Sequence, residues 1–385
     1  MGADLRLGPR SRCAGCRDAA EFFDRQNGRE VELAPTEEAS ADLMAGWIFV
    51  LVSARFRRKN SGVNLERARR LLCQLQDSIR ESVVASRGRG TAKLSRVAAV
   101  TAADTIYAVD KVSEATVLAW LERHWPRAWP VELVMEGLEE RGAVTFPRGT
   151  AVAATRWKLI LDPIDGTRGL MFDKRSAWSL AALAPQRGAK NTLADLVVAA
   201  MTELPTSKSG AADQLSAVRG RGVRAERVDL RTGKRARLTP RPSRARTLGH
   251  GFAFVAKFFP AGKAWLAEIE ERLLRELGEG NDVFDDQYLS TGGQLHELIV
   301  GHDRFVADLR PLAFARLGLS GALACHPYDI CTALIAREAG CVVTAPDGKP
   351  LRAPLDTTSA VAWTGYANRA LARRIGPVLR RVLAE

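Results

Sequence analysis

The period of the apolar positions changes several times along the chain, and each change marks an element. From about residue 41 to 87, Leu65, Leu71, Leu72 and Leu75 recur among arginines and glutamates at helical spacing. SRGRGTAK (86–93) reads as a loop. A second helix over about 105–124 rests on Val109, Val112, Thr116, Ala119 and Trp120, and prolines at 126 and 130 end it. VELVM (131–135) predicts a short strand leading to Glu136, and AATRWKLIL (153–161) and SAWSLAALAP (176–185) predict two more. Residues 186 to about 290 carry the least pattern, apart from a helix-like AWLAEIEERLLREL (264–277). QLHELIVG (294–301) predicts a helix and RFVADL (304–309) a strand. DICTALIAREAG (329–340) predicts a capped helix stopped by Gly340. CVVTAPDG (341–348) reads as strand and turn, and AVAWTGY (360–366) as a last strand before a C-terminal helix. Alternating strands and helices predict a layered α/β (α+β) fold, and no internal repeat is visible.

With 385 residues and 46% hydrophobic content the chain can build a substantial core. Its formal charge of +13 favours anionic partners. Much of that charge lies in RGRGVRAERVDLRTGKRARLTPRPSRAR (219–246), which has few aromatics and reads as a solvated insertion at least as well as a nucleic-acid surface. The cysteines at 13, 16, 73, 325, 331 and 341 do not resemble a disulfide framework. CAGC (13–16) has metal or redox spacing, but no second pair completes a zinc site. The apolar run AGWIFVLVSA (45–54) is too short to span a bilayer, and MGADLRLGPRSR lacks the apolar core of a signal peptide. The expectation is a cytoplasmic protein with a polar, poorly ordered leader over 1–40.

The densest chemistry is in WKLILDPIDGTRGL (157–170). Asp162 emerges at the C-terminal end of an apolar strand, where open α/β sheets place ligands. Pro163 stiffens the backbone, and Asp165-Gly166 is a turn signal. Two carboxylates this close repel unless a cation lies between them, and hard oxygen donors on a stiff turn suit Mg²⁺. The amides of Gly166 and Thr167 are candidates to face an anion. An ordinary surface turn is the plainer alternative, since Asp-Gly alone signals no more than that.

DPIDGT (162–167) resembles the metal-binding signature of the inositol monophosphatase-like phosphatases, a superfamily that includes fructose-1,6-bisphosphatase and the bisphosphate nucleotidases. HPYDICTALIAREAGCVVTAPDG (326–348) is similar to the second signature of that family, and VAWTGYANRALARRI (361–375) to its closing strand and helix. YAVDKVSEATVLAWL (107–121) and VMEGLEE (134–140) resemble its early Thr-x-x-Asp helix and its Gly-Glu-Glu. The resemblance runs from about residue 41 to the end, except for about 205–285. It implies one phosphatase domain over 41–385, with an N-terminal half at about 41–200, a basic insertion at about 205–285 and a C-terminal half at about 286–385. The implied fold is a layered αβαβα sandwich.

By the same resemblance, Glu136, Asp162 and the Ile164 carbonyl hold one Mg²⁺, and Asp162, Asp165 and Asp329 hold another, in a site of two or three ions. Asp110 and Thr167 are the implied catalytic pair that orients and deprotonates water, while the Gly166 and Thr167 amides receive phosphate. Gly293 and Gln294 fall where the family contacts substrate. Asp329 also reads as a helix N-cap, and Glu139 or Glu140 can stand in for Glu136. Some positions depart from the family pattern. Glu136-Gly137 replaces a double glutamate, Tyr328-Asp329 replaces Trp-Asp, and LSGALACHP (319–327) lacks the acid with which inositol monophosphatases bind a ring hydroxyl.

The implied activity is a Mg²⁺-dependent phosphomonoesterase acting on a small phosphorylated metabolite such as an inositol or sugar phosphate. Bisphosphate nucleotidase or fructose-1,6-bisphosphatase-like activity is the alternative. An inactive scaffold binding nucleic acid through the basic insertion is an alternative of another class, and redox control through Cys331 or Cys341 is a variant. The expected partners are a small anionic substrate and, as an open option, a second copy in a homodimer; nucleic acid and membrane are not expected. The insertion either caps the cleft or is decoration.

Overall fold

The helix Leu65–Arg87 begins where Asn64 Oδ1 accepts hydrogen bonds from the amides of Glu66 and Arg67, at 3.0 and 3.1 Å. Ala68, Leu72, Leu75, Ile79 and Val83 lie on one buried stripe of it. Gln76 shares the stripe and is fully buried, yet satisfied: it donates to the carbonyls of Ser179 and Ala200 and accepts from the Thr202 hydroxyl. This polar tie sets the helix across the sheet that carries the site.

The computed structural model describes residues 64–87, 97–100, 105–138, 142–279, 282–319 and 323–385. It also describes Phe22–Phe23 (β1) and Glu30–Val31 (β2), which pair antiparallel. The rest of the leader, with CAGC (13–16), the run 45–54 and Glu139 and Glu140, lies outside the described residues.

Val97–Val100 (β3) and Thr105–Tyr107 (β4) form a separate antiparallel pair. The larger sheet contains Val131–Met135 (β5), Val144–Phe146 (β6), Trp157–Asp165 (β7), Ala177–Pro185 (β8), Val198–Leu204 (β9), Ala211–Val218 (β10), Val223–Asp229 (β11) and Arg235–Leu238 (β12). Their spatial order is β12-β11-β10-β9-β8-β7-β5-β6. A second sheet combines Gly251–Val255 (β13), Val283–Phe284 (β14), Asp303–Asp308 (β15), Val342–Thr344 (β16) and Trp363–Tyr366 (β17) in the order β14-β13-β15-β17-β16.

Helices Thr291–Val300 and Ala333–Ala339 lie between the sheets, the first against β8 and β15, the second against β9, β10 and β16. The helices Leu65–Arg87 and Ala108–His124 cover the outer face of the larger sheet. Lys263–Leu277 and Arg369–Ala384 pack together on the outside of the smaller one. These layers make the expected αβαβα sandwich. Its core holds the fully buried Trp157, Trp178 and Trp363.

Several elements differ from the sequence expectation. The strand expected over 153–161 starts at Trp157 and runs through the aspartates to Asp165, all nine residues buried, after a short 3₁₀ turn at Val152–Ala154. Its pairing with β8 shifts register between Asp162 and Asp165, at Pro163, which has no amide hydrogen to offer the ladder. The helix expected from about 105 starts at Ala108. The helix expected over 329–340 is two helices, Pro327–Ile330 and Ala333–Ala339, the latter closed by Gly340 at φ 103°. Asp329 is not an N-cap: it is the third residue of its helix and accepts from the amide of His326, which holds the cap position.

The poorly patterned 186–290 supplies six strands, β9 to β14. Within it, the arginine-rich 219–246 forms β11 and β12, at the edge of the larger sheet farthest from β5 and β6. Charged residues suit an exposed edge, and several of these arginines are paired internally. Arg227 grips Asp213 at 2.7 and 2.8 Å, Arg235 reaches Asp77, and Arg224 lies 3.4 Å from Glu66. Among the described residues, none of these arginines lines the cavity described next, although Phe258 and Phe259, from the same 205–285 insertion, do.

Candidate active site

A cavity of about 360 Å³ opens at the C-terminal end of β7. Its floor is built by local geometry. Asp162 Oδ1 accepts from the Ile164 amide at 2.8 Å, which turns the chain after Pro163. Gly166 follows at φ 96°, where a Cβ would sit 3.0 Å from the Ser290 Cβ, so only glycine fits without displacement. Thr167 opens the short helix Thr167–Met171. Its hydroxyl lies 2.9 Å from the Ile164 carbonyl oxygen and 3.2 Å from Asp110 Oδ1, which comes from the first turn of Ala108–His124.

Tertiary packing brings in the other carboxylates. Asp165 Oδ2 accepts from Ser290 Oγ (2.8 Å) and from the Gly292 amide (2.6 Å) at the start of the sandwiched helix. Asp329 Oδ2 accepts from the His326 amide at 2.6 Å. Carboxylate oxygens of Asp162, Asp165 and Asp329 thereby lie within 4.8 Å of one another. Glu136, on the turn after β5, lines the same cavity and acts electrostatically on Asp162, though it stands outside that tight group.

Asp162 is 1% exposed. Burial, then the charges of Glu136, Asp165 and Asp329, pushes its carboxyl well above the usual range. Burial and the neighbouring Asp329 raise Asp165 to about 8, against the opposing hydrogen bonds from Gly292 and Ser290. Three buried carboxylates in such contact are compatible with full ionisation only around a cation. The donors are all hard oxygens, which fits Mg²⁺ in chemistry as well as charge.

Of the residues singled out in the sequence, Asp110, Glu136, Asp162, Ile164, Asp165, Gly166, Thr167 and Asp329 all line this one cavity. Gly293 and Gln294 do not. The Gly293 amide donates to Ser290 Oγ, and a Cβ there would collide with the Tyr288 ring at 2.4 Å. Gln294 is buried and donates to the Tyr288 carbonyl. The neighbours that do reach the cavity are Ser290 and Thr291, and the Ser-Thr-Gly-Gly helix start was the signal for them.

No family model matches this chain, and no curated protein matches it either. Solved structures do. A fructose-1,6-bisphosphatase from Leishmania major aligns over 82% of this chain and 93% of its own, at TM-score 0.59 and 14% identity. The extragenic suppressor protein suhB from Bartonella henselae aligns over 81% and 98%, at 0.55 and 17%. A Pyrococcus horikoshii protein described as having similarities to inositol-1 monophosphatase aligns over 82% and 98%, at 0.54 and 17%. The fold is that of the inositol monophosphatase-like phosphatases. Within that fold the cluster of Asp162, Asp165 and Asp329 sits where β7 ends against the sandwiched helix layer.

Among the described residues, no cysteine lines the cavity. Burial raises the Cys331 thiol well above its ordinary value, and that of Cys341 to about 12, so both are protonated thiols near neutrality. Sequence reasoning also missed Phe258 and Phe259, in the loop after β13, and Arg310, at the start of the helix Arg310–Arg316, all of which line the cavity. No local pattern marks them.

Proposed function

We propose that the protein is a metal-dependent phosphomonoesterase that hydrolyses a small phosphorylated metabolite, with Mg²⁺ as its cofactor. The observation that carries this reading is the convergence of Asp162, Asp165 and Asp329 within 4.8 Å, buried, beside the Asp110–Thr167 contact. Asp162, Asp165 and Asp329 would hold one ion, and Glu136 with the Ile164 carbonyl would extend the set to a second beside Asp162. When bound, the ions supply Lewis-acid polarisation of phosphate oxygens and of the attacking water.

The chain's own groups do the rest. Thr167 Oγ accepts a proton from the attacking water and passes its own to Asp110 Oδ1, 3.2 Å away. The new bond forms between the water oxygen and phosphorus, and the bond from phosphorus to the ester oxygen breaks. The leaving alkoxide then takes a proton from solvent. The amides of Gly166 and Thr167 receive the phosphate oxygens. No observation favours the nucleic-acid scaffold, since arginines at the edge are engaged with Asp213, Asp77 and Glu66.

Phosphate release is measured across sugar, inositol and nucleotide phosphates, with Mg²⁺ and with chelator. Release that needs Mg²⁺ and disappears in a folded Asp162→Asn variant is the expected result. Wild-type turnover in that variant would remove the site assignment.

A further inference from the structure

Arg310 is the cavity-lining cation whose surroundings are best defined. It is 6% exposed and begins the helix Arg310–Arg316, just after β15. Its Nε and Nη2 donate to the two carboxylate oxygens of Asp308 at 2.8 and 2.6 Å, and Nη1 donates to the Leu323 carbonyl at 2.9 Å. A guanidinium has five N–H bonds. Among the described residues these contacts use three, leaving one on each terminal nitrogen. The Phe258 ring lies 4.5 Å from the guanidinium carbon and the Phe259 ring 5.4 Å, so the group is clamped as well as buried.

Two consequences follow for what the cavity binds. Asp308 is fully buried with both oxygens taken by Arg310, so it is not available to accept from a sugar or inositol hydroxyl. The group actually presented on that wall is a planar cation with N–H bonds to spare, backed by aromatic rings. A buried guanidinium with free N–H bonds suits a second oxyanion, which it can bind through parallel hydrogen bonds. Arg310 is near enough to Asp165 and Asp329 to act on them electrostatically, and so belongs to the same chamber.

Building on the phosphatase reading above, we infer that Arg310 determines specificity: it binds a second oxyanion, phosphate or carboxylate, carried by the leaving group of the substrate. Preferred substrates therefore bear two anionic groups. Asp308 fixes the orientation of Arg310, and Phe258 and Phe259 hold its plane.

The test compares kcat/KM, with Mg²⁺, within three pairs: fructose 1-phosphate and fructose 1,6-bisphosphate, AMP and adenosine 3′,5′-bisphosphate, and glycerol 3-phosphate and 3-phosphoglycerate. The first two pairs ask about phosphate as the second oxyanion, the third about carboxylate. The full chain should prefer the doubly anionic member of at least one pair by tenfold or more. The Asp308→Asn/Arg310→Gln double variant removes both charges without stranding either, and should cut that ratio at least tenfold through KM. Arg310→Lys keeps a cation beside Asp308 but loses the planar fork, and should cut the ratio at least threefold. An active enzyme with no such preference, or a ratio unmoved in both variants, overturns the inference. So does an equal loss on both members of a pair, which would put Arg310 on the scissile phosphate. No phosphate release from any of the six compounds is a different result, which sinks the phosphatase reading itself.

Discussion

Gly166 shows how much one position carries. Its φ of 96° lies in the left-handed region, and a Cβ there would press on Ser290, the residue that donates to Asp165. Gly166→Ala should therefore do two things. It should destabilise the protein by about 1–3 kcal/mol, the sum of backbone strain and a forced shift, and it should lower Mg²⁺-dependent turnover by moving Ser290. Gly220→Ala is the control, because Gly220 has φ 72° but nothing within 4 Å of its Cβ position. It should show strain alone, about 1 kcal/mol by chemical denaturation, with turnover retained. Equal activity in the two variants would remove the role assigned to the contact with Ser290.

The elements around the site are joined by a buried ion cluster as well as by apolar packing. His296, on the sandwiched helix, lies 3.3 Å from Asp213 of β10 and 3.4 Å from Glu297, with the Trp178 ring centroid 4.6 Å from its own. Burial lowers its pKa, but the hydrogen bonds and charges of Asp213 and Glu297 outweigh that and raise it to about 9. Asp213 is correspondingly low, at about 2: burial opposes this, and Arg227 and His296 prevail. The histidine stabilises the fold fully below its unfolded value near 6.5, and the contribution fades as pH rises through about 9. Unfolding free energy should thus fall between pH 6.5 and 9.5 by on the order of 3 kcal/mol, and His296→Gln should flatten that slope. An unchanged slope in the variant would place the titration elsewhere.

Legibility in the sequence also divides at this scale. DPIDGT could be read because Asp162, Pro163, Asp165, Gly166 and Thr167 build one turn from neighbours in the chain. β9 and β10 could not. VAAMTEL and AADQLSAV are strands nearly all of whose residues are buried, so neither shows the alternation of a half-exposed strand. β11 and β12 were hidden by the opposite cause, since their arginines belong to an exposed edge. Arg310 carried no signal because, beyond its chain neighbour Asp308, the partners that hold it, Leu323 and Phe258, come from distant segments.

For the whole molecule, the repulsion stored among Asp162, Asp165, Asp329 and Glu136 implies that folding and ion binding are linked. Mg²⁺ at 100 times its dissociation constant should stabilise the native state by about 2.7 kcal/mol through mass action. Thermal unfolding with Mg²⁺ and with EDTA measures this directly. Asp162→Asn removes the central repelling charge, so its chelated form should melt above the chelated wild type, and its response to Mg²⁺ should be lost. A wild type indifferent to Mg²⁺ and an Asn variant of lower stability would contradict the picture of a strained acidic cluster. The basic balance of the chain, +13 overall, does not oppose this chemistry, because edge arginines such as Arg227 and Arg235 are used to bind strands and helices together.

Taken by itself, the sequence determined the turn at the end of β7, most of the helix and strand identities in the C-terminal third, and the identity of the carboxylates. Those features depend on contacts within a few residues of one another, where dihedral preference and side-chain period decide the outcome. Only the tertiary structure decided that Asp329 and Asp165 meet Asp162, that Ser290 rather than Gly293 faces the cavity, and that Arg310, held by Asp308, lines its wall. Each of those facts depends on which layers pack against which, and a one-dimensional pattern does not encode the register of distant elements.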